Sequence, residues 1–270
     1  MKIFEWVRFG TAGGIALLMS FPTVWMFYSA FKSNKEIFTS PFKLPNSWSF
    51  SSFVNAWQQG NLGTLYLNSL IVTVTAVAMA VLFGTSAAFA FVRLEFPGRQ
   101  LMYRTLLVGL ALPPAAIAIS LFVQLRDMHM LDTLWALILP NAAWSLSLTV
   151  FLMRGYFESL GADAEEAARI DGANTFQILF MISIPMVWPA MLTVTIISVI
   201  GIWNELLFAL LFVAEPDKRT LPAGLIRFFG QHTTDYSLIF AALSILSFPV
   251  LALYFIMQKR VMTGLTGAMA

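Results

Sequence analysis

Uncharged stretches recur along this chain at lengths that match a lipid bilayer. Positions 9–31, 105–125, 133–153 and 236–258 carry no charge, giving runs of 23, 21, 21 and 23 residues. A helix crosses the hydrocarbon core in about 20 mostly apolar residues, so each run reads as one span. Two longer intervals need trimming. After Lys43, the polar, turn-rich Pro45, Asn46, Ser47, Gln58, Gln59, Gly60 and Asn61 precede an apolar run, which places a span at about 65–92. After Asp171 the apolar character continues through Glu205 to Val213, giving a span at about 184–213 with room to tilt or bend. These runs are apolar all round and twice the length of the roughly 10-residue alternating segments of an outer-membrane barrel. The first is too long for the apolar core of a signal peptide, and Tyr28-Ser29-Ala30 is a poor cleavage site. The pattern predicts an all-α membrane protein, a single domain over 1–270 with six transmembrane helices.

Three stretches stay outside the membrane: roughly 32–64, 154–183 and 214–237. The first is rich in Pro, Ser, Asn and Trp, with no run to form a core of its own, and Trp48 and Trp57 suit an interfacial or partner-facing surface. Pro113-Pro114 falls inside the third span, where it must kink the helix and free backbone carbonyls. A packing kink and a gating hinge are both open there. Composition agrees with the pattern: 59% of residues are apolar and 11% charged, against roughly 25% charged in soluble domains. Sixteen Lys and Arg balance fourteen Asp and Glu, so no basic face for nucleic acid is present. With the N-terminus inside, nine basic residues fall on the inner segments and seven on the outer. The 93–104 loop and Lys259-Arg260 lean the same way.

The chemistry-bearing residues are few. There is no cysteine, and His129 and His232 have no partner at metal-ligand spacing. No phosphate-cradling G-x-x-x-x-G-K-[S/T], H-E-x-x-H or G-x-S-x-G occurs. No catalytic or metal-binding residue is assigned, which disfavours a membrane-embedded enzyme. Glu205 is the one acid well inside a span, where a central charge costs about 2.5–3.5 kcal/mol and so should face a cavity or a partner. Beside Trp203 and Asn204 it suits a sugar-lined pathway, the ring stacking on C–H faces and the polar groups meeting hydroxyls. Equally, it suits a hydrogen bond to a neighbouring helix. Successive residues point about 100° apart, so the three cannot share one narrow wall.

The loop between spans four and five carries the strongest pattern. Asp163 and Glu166 resemble a capping box opening a short helix. Glu165 and Arg169 stand four apart in the favourable order. Asp171-Gly172 ends the helix, and Asn174 or Thr175 can cap the next one. Ala167 and Ala168 give a face with little bulk, Glu166 adds a charge to it, and Gly172 permits the turn. Such a helix serves either as a docking surface or as an Ala-rich connector.

Glu166-Ala167-Ala168, Gly172, Ile182 and Pro185 resemble the EAA motif of ABC-importer permeases, E-A-A-x₃-G-x₉-I-x-L-P, with Ile184 in the Leu position. Asp171-Gly172-Ala173 is similar to the wording of the carbohydrate, maltose-transporter-type branch. So are Pro22 to Trp25 with Ser29-Ala30-Phe31-Lys32, Leu67-Asn68-Ser69-Leu70, Phe96-Pro97-Gly98-Arg99, Trp203-Asn204-Glu205 and Gly264-Leu265-Thr266. The tail departs from the branch, with Ala268-Met269-Ala270 where K-G is usual.

The resemblance implies a type I ABC-importer permease fold with the coupling helix in the loop at about 154–183. It implies a second permease subunit (a heterodimer), two cytoplasmic ABC ATPase subunits carrying ATP and Mg, and an extracytoplasmic solute-binding protein. The chain itself binds no cofactor. It would lie in a bacterial cytoplasmic (inner) membrane with both termini cytoplasmic. An importer for a non-sugar solute is one alternative. A secondary transporter is another, but that would call for inverted repeats and several ionisable groups.

Overall fold

A computed structural model describes residues 2–229 and 234–267, with side chains described for 8–229 and 234–256. His232 and Ala268, Met269 and Ala270 lie outside the described residues, as do the side chains of Lys259, Arg260, Leu265 and Thr266. Among the described residues the secondary structure is helical throughout. In chain order the helices are α1 (Lys2–Ser29), α2 (Asn34–Thr39), α3 (Ser51–Gln59), α4 (Leu62–Arg93), α5 (Arg99–Ala111), α6 (Pro114–Asp127), α7 (Trp135–Ser159), α8 (Asp163–Ile170), α9 (Thr175–Gln177), α10 (Ile184–Trp203), α11 (Leu207–Phe212), α12 (Leu221–Gly224) and α13 (Tyr236–Gly267). Among the described residues five stretches are long and apolar enough to cross a membrane, and the bent pair α5–α6 makes a sixth if it counts as one.

The third apolar run is not one helix. α5 and α6 meet at 107°. A residue before proline is pushed out of helical geometry, and here that happens twice in succession. Leu112 precedes Pro113 and takes ψ 121°, and Pro113 precedes Pro114 and takes ψ 137°. Two extended residues in a row break the helix where one would kink it. Pro114 then starts α6 at its first turn, where a missing N–H costs nothing.

The fifth run is also interrupted, at both ends. Between α9 and α10, Ile178–Ser183 forms a wider π-helical turn. Pro185 has no N–H for the carbonyl four residues back, and its ring crowds that carbonyl; the wider turn accommodates both. At the far end α10 stops at Trp203, and the chain restarts as the short α11.

The chain divides into two compact units, 1–64 with 224–249 and 65–223 with 250–270. In the first, α1 is exposed along most of its length, as a lipid-facing helix would be. The 32–64 stretch gains its apolar centre from the turn just beyond α1, where Phe31 packs against Trp48, Phe50 and Phe53 with ring centres 5.1 Å apart. Lys32 is 2% exposed. Its ammonium donates to the carbonyls of Ser40 (3.2 Å) and Pro41 (2.8 Å) and lies over the Tyr28 ring. Ser33 and Glu36 form a reciprocal capping box at the start of α2. Asn34 Oδ1 accepts the N–H groups of Tyr236 and Ser237, closing the start of α13.

The second unit holds the main core, built from α4, α6, α7, α10 and α11. Small residues let helices approach closely, as is usual in membranes. At Gly84 of α4, an added Cβ would sit 2.6 Å from Thr149 Cγ2 on α7. Near the N-terminal end of α4, Asn68 Nδ2 donates to the carbonyls of Asp217 (2.9 Å) and Arg219 (3.0 Å), and Ser69 Oγ accepts the Leu221 N–H at 2.7 Å.

Two outcomes follow. Gly84→Ala should lower stability by about 1–3 kcal/mol, because Thr149 is β-branched and cannot swing away. Gly155→Ala, at an exposed helical site with nothing within 4 Å, should be neutral or stabilising. Thermal unfolding of the two variants in detergent measures the difference. The Glu36 carboxyl is held below its ordinary range, first by the Ser33 N–H, then by the Ser33 hydroxyl and the Asn46 N–H. A depressed folded-state value means the cap contributes fully above the ordinary carboxylate range and fades as pH falls through the lowered value. Glu36→Gln should remove that acid-dependent part of the melting temperature.

Candidate functional site

The loop after α7 is built by local rules. α7 ends at Ser159, where Leu160 turns extended with ψ 129°. α8 carries Asp163, Glu165 and Glu166 in its first turn and Arg169 in its last, the arrangement that best complements a helix dipole. The expected Asp163–Glu166 capping box is not formed. Asp163 is already the first helical residue, the capping position falls on Ala162, and no side chain caps the helix.

The C-terminal end is closed by backbone. Gly172 takes φ +90°, and the Ala173 N–H reaches the Ala168 carbonyl at 2.9 Å. This six-to-one closure around a left-handed glycine is the Schellman arrangement. One residue later Asn174 caps α9 and exchanges hydrogen bonds with Gln177. The product is a helix–turn–helix with a very short turn.

Exposure sorts the motif residues. Glu166, Ala167 and Gly172 face outward. Ala168 does not share that face, since it is half-buried and packs on the main core. Around the outward residues stand three exposed apolar side chains, Ile170 (86%), Phe176 (75%) and Met181 (72%). Asp171, Gly172, Ala173, Gln177, Met181 and Ile182 line a shallow concavity of about 390 Å³. Ile182 is half-buried and Pro185 exposed.

Glu165 points the other way. The expected i,i+4 pair with Arg169 gives way to a buried one: Arg93 Nε, on the last residue of α4, donates to Glu165 Oε2 at 2.6 Å. The second oxygen, Oε1, accepts from Ser183 Oγ at 2.8 Å. Arg93 Nη2 also donates to the Leu160 carbonyl at 2.9 Å. Glu165 is 6% exposed and Ser183 1%. One carboxylate thus joins α8 to the end of α4 and to the segment leading into α10. Adjacent helical residues point about 100° apart, so two consecutive acids can take different surroundings, and here Glu165 is the buried one and Glu166 the exposed one.

Trp203, Asn204 and Glu205 diverge. Trp203 is 3% exposed, with its ring edge-on to Tyr66 at 5.5 Å. Asn204 is exposed, and its Nδ2 donates to the Ile200 carbonyl at 2.8 Å. Glu205 accepts the Phe208 N–H at 2.7 Å and the Ala209 N–H at 3.3 Å. It therefore caps α11, where unpaired N–H groups and the positive dipole end favour a carboxylate. That role was invisible in the sequence, because no Gly or Pro marks the break after Asn204. Pro113 and Pro114 stand at the α5–α6 break. Among the described residues no group of three or more His, Asp or Glu is placed to hold a metal ion.

Comparison with known proteins agrees with the arrangement of apolar helices and the EAA-type loop. The chain is 37% identical over 248 residues to the diacetylchitobiose uptake system permease protein NgcG of Streptomyces coelicolor, covering 91% of this chain and 82% of that protein. It is 31% identical to the melibiose/raffinose/stachyose import permease protein MelC of Bacillus subtilis, covering 86% and 84%. A chain of a bacterial ABC transporter involved in the import of the acidic polysaccharide alginate superposes with a TM-score of 0.81 at 26% identity, covering 96% of each. Residues 80–265 match the family described as the binding-protein-dependent transport system inner membrane component. The chain belongs to that family, as a membrane-spanning permease of an ABC transport system.

Proposed function

We propose that this chain is the permease subunit of an importer for an oligosaccharide, driven by ATP hydrolysed on separate subunits and transmitted through α8. The observation that carries this reading is the outward face of the loop, where Glu166, Ala167 and Gly172 stand exposed beside Ile170 and Phe176. A charge, a stretch of bare backbone and apolar side chains together suit a protein groove better than water. Exposed apolar clusters of this kind mark interaction sites. The named solutes of the relatives above are all built of linked sugars, which supports the substrate class.

On this reading the loop at 154–183 lies in the cytoplasm, and both termini lie there too. Two ATPase subunits hold ATP and Mg, a second, different permease subunit completes the pathway, and a solute-binding protein delivers from outside. No cofactor and no catalytic residue belong to this chain. The pathway passes the break between α10 and α11. There Asn204 presents its amide to the solute, while Trp203 and Glu205 hold the break in shape. Pro113 and Pro114 set the bend of the third span.

Two measurements test the reading. A tagged chain extracted in gentle detergent from its native membrane should bring down an ATPase subunit and a second permease, identified by mass spectrometry. Recovery of the chain alone, under conditions that preserve other transporters of this family, overturns it. Gly172→Gln should leave the chain in the membrane and reduce uptake at least about tenfold, because an L side chain at this φ is strained by about 1–2 kcal/mol and adds bulk to the docking face. Gly172→Asn should keep more activity, since Asn tolerates the left-handed region best. Unchanged uptake in the Gln variant removes α8 from the mechanism.

A further inference from the structure

We propose that Glu165 is a positioning residue for coupling: its carboxylate clasps Arg93 and Ser183, so that a displacement of α8 is delivered to α4 and α10 rather than absorbed at the ends of α8. This rests on the docking role of α8 given above and goes beyond it, because Glu165 faces away from the docking surface.

Mechanical need is the first support. α8 spans eight residues, too few to be stable in isolation. It is bounded by an extended residue and Gly161 on one side and by Gly172 at φ +90° on the other. A short helix between two bends passes on a push only if something fastens it across its own axis. The apolar contacts of Ala168 and Ala173 hold it near the core, but apolar contacts slide. The carboxylate does not, because its two oxygens are held in different directions, by Arg93 at 2.6 Å and by Ser183 at 2.8 Å. Arg93 also takes the Leu160 carbonyl at 2.9 Å, so the end of α7 is drawn into the same knot.

Division of labour between neighbours is the second. Glu165 and Glu166 carry the same charge, yet one is buried in the clasp and the other exposed on the face. Replacing Glu166 removes a contact with the partner. Replacing Glu165 leaves that face intact and loosens what lies behind it. The two substitutions should therefore fail differently, the first in assembly and the second in transmission.

The test uses the whole transporter, with both permeases, ATPase subunits and binding protein, reconstituted in proteoliposomes. Glu165→Gln keeps size and shape while removing the charge. It should copurify with as much ATPase as the wild type and hydrolyse ATP within about twofold of it. Uptake should fall about tenfold, so that ATP consumed per solute rises by that factor, within the range by which substitutions change coupling. Arg93→Gln should do the same, and the double variant should be no worse than either single, as for two ends of one interaction. Ser183→Ala, which spares the ion pair, should raise ATP per solute by a smaller factor of about three.

Uptake and hydrolysis falling in proportion, or unchanged uptake in Glu165→Gln, overturns the proposal. So does loss of ATPase from the Glu165→Gln complex, which would place that residue on the docking face. If Glu165→Gln does not accumulate, Ser183→Ala decides alone, and a wild-type ratio there overturns the proposal. Absence of ATPase from the wild-type preparation is seen before any substitution, and it overturns the docking reading itself.

Discussion

Backbone hydrogen bonding constrains this molecule more than any other interaction. In hydrocarbon an unpaired N–H or carbonyl costs several kcal/mol, and water is not there to help. A chain of uninterrupted spans would meet that requirement automatically, but this one is broken repeatedly. Within the fifth apolar run Glu205 closes the start of α11; outside the apolar runs Ser33 and Glu36 close α2, Asn174 and Gln177 close α9, and Asn34 with Asp235 closes α13. Asp132 accepts the N–H groups of Ala214 and Glu215, and Arg219 donates to the carbonyls of Val213 and Ala214. Many of the scarce polar side chains are thus stitches in the fold.

Legibility in the sequence follows from this. Apolar runs were readable from charge spacing, because a bilayer imposes a length. The loop was readable because Gly172 and Asn174 act on their immediate neighbours, through a turn and a cap. What escaped depends on residues far apart or on direction around a helix. Asn68 grips carbonyls 149 and 151 positions away, and no local pattern announces that. Glu165 and Arg93 are 72 apart, and choosing between two adjacent acids needs the rotation of α8. The full break at Pro113-Pro114 could have been read, since the rule for the residue before a proline applies twice there. A single kink was the weaker inference.

The buried and exposed sides of α8 show how one short helix carries two demands. A pair buried to 14% and 7% side-chain exposure is costly to desolvate and adds little stability beyond an apolar packing. Yet removing one partner leaves a stranded charge, typically at about 3–5 kcal/mol. Such a pair suits precise placement more than strength. The outward side carries Glu166 and Ala167 on the helix and Gly172 just beyond it, all exposed. Fastening behind and openness in front are both consequences of helical geometry applied to Glu-Glu-Ala-Ala.

α4 gives the clasp a long arm. From Arg93 back to Asn68 the helix is unbroken, a distance of about 38 Å at the usual rise per residue. A tilt of only about 5° pivoting at Arg93 carries the Asn68 end sideways by about 3 Å on that length. Asn68 holds the 217–219 carbonyls at 2.9 and 3.0 Å, so a swing of that size equals a whole hydrogen bond. The loop at 217–221 must either travel with the helix or release it, so a small tilt at the Arg93 end is felt as a broken or carried contact one helix length away.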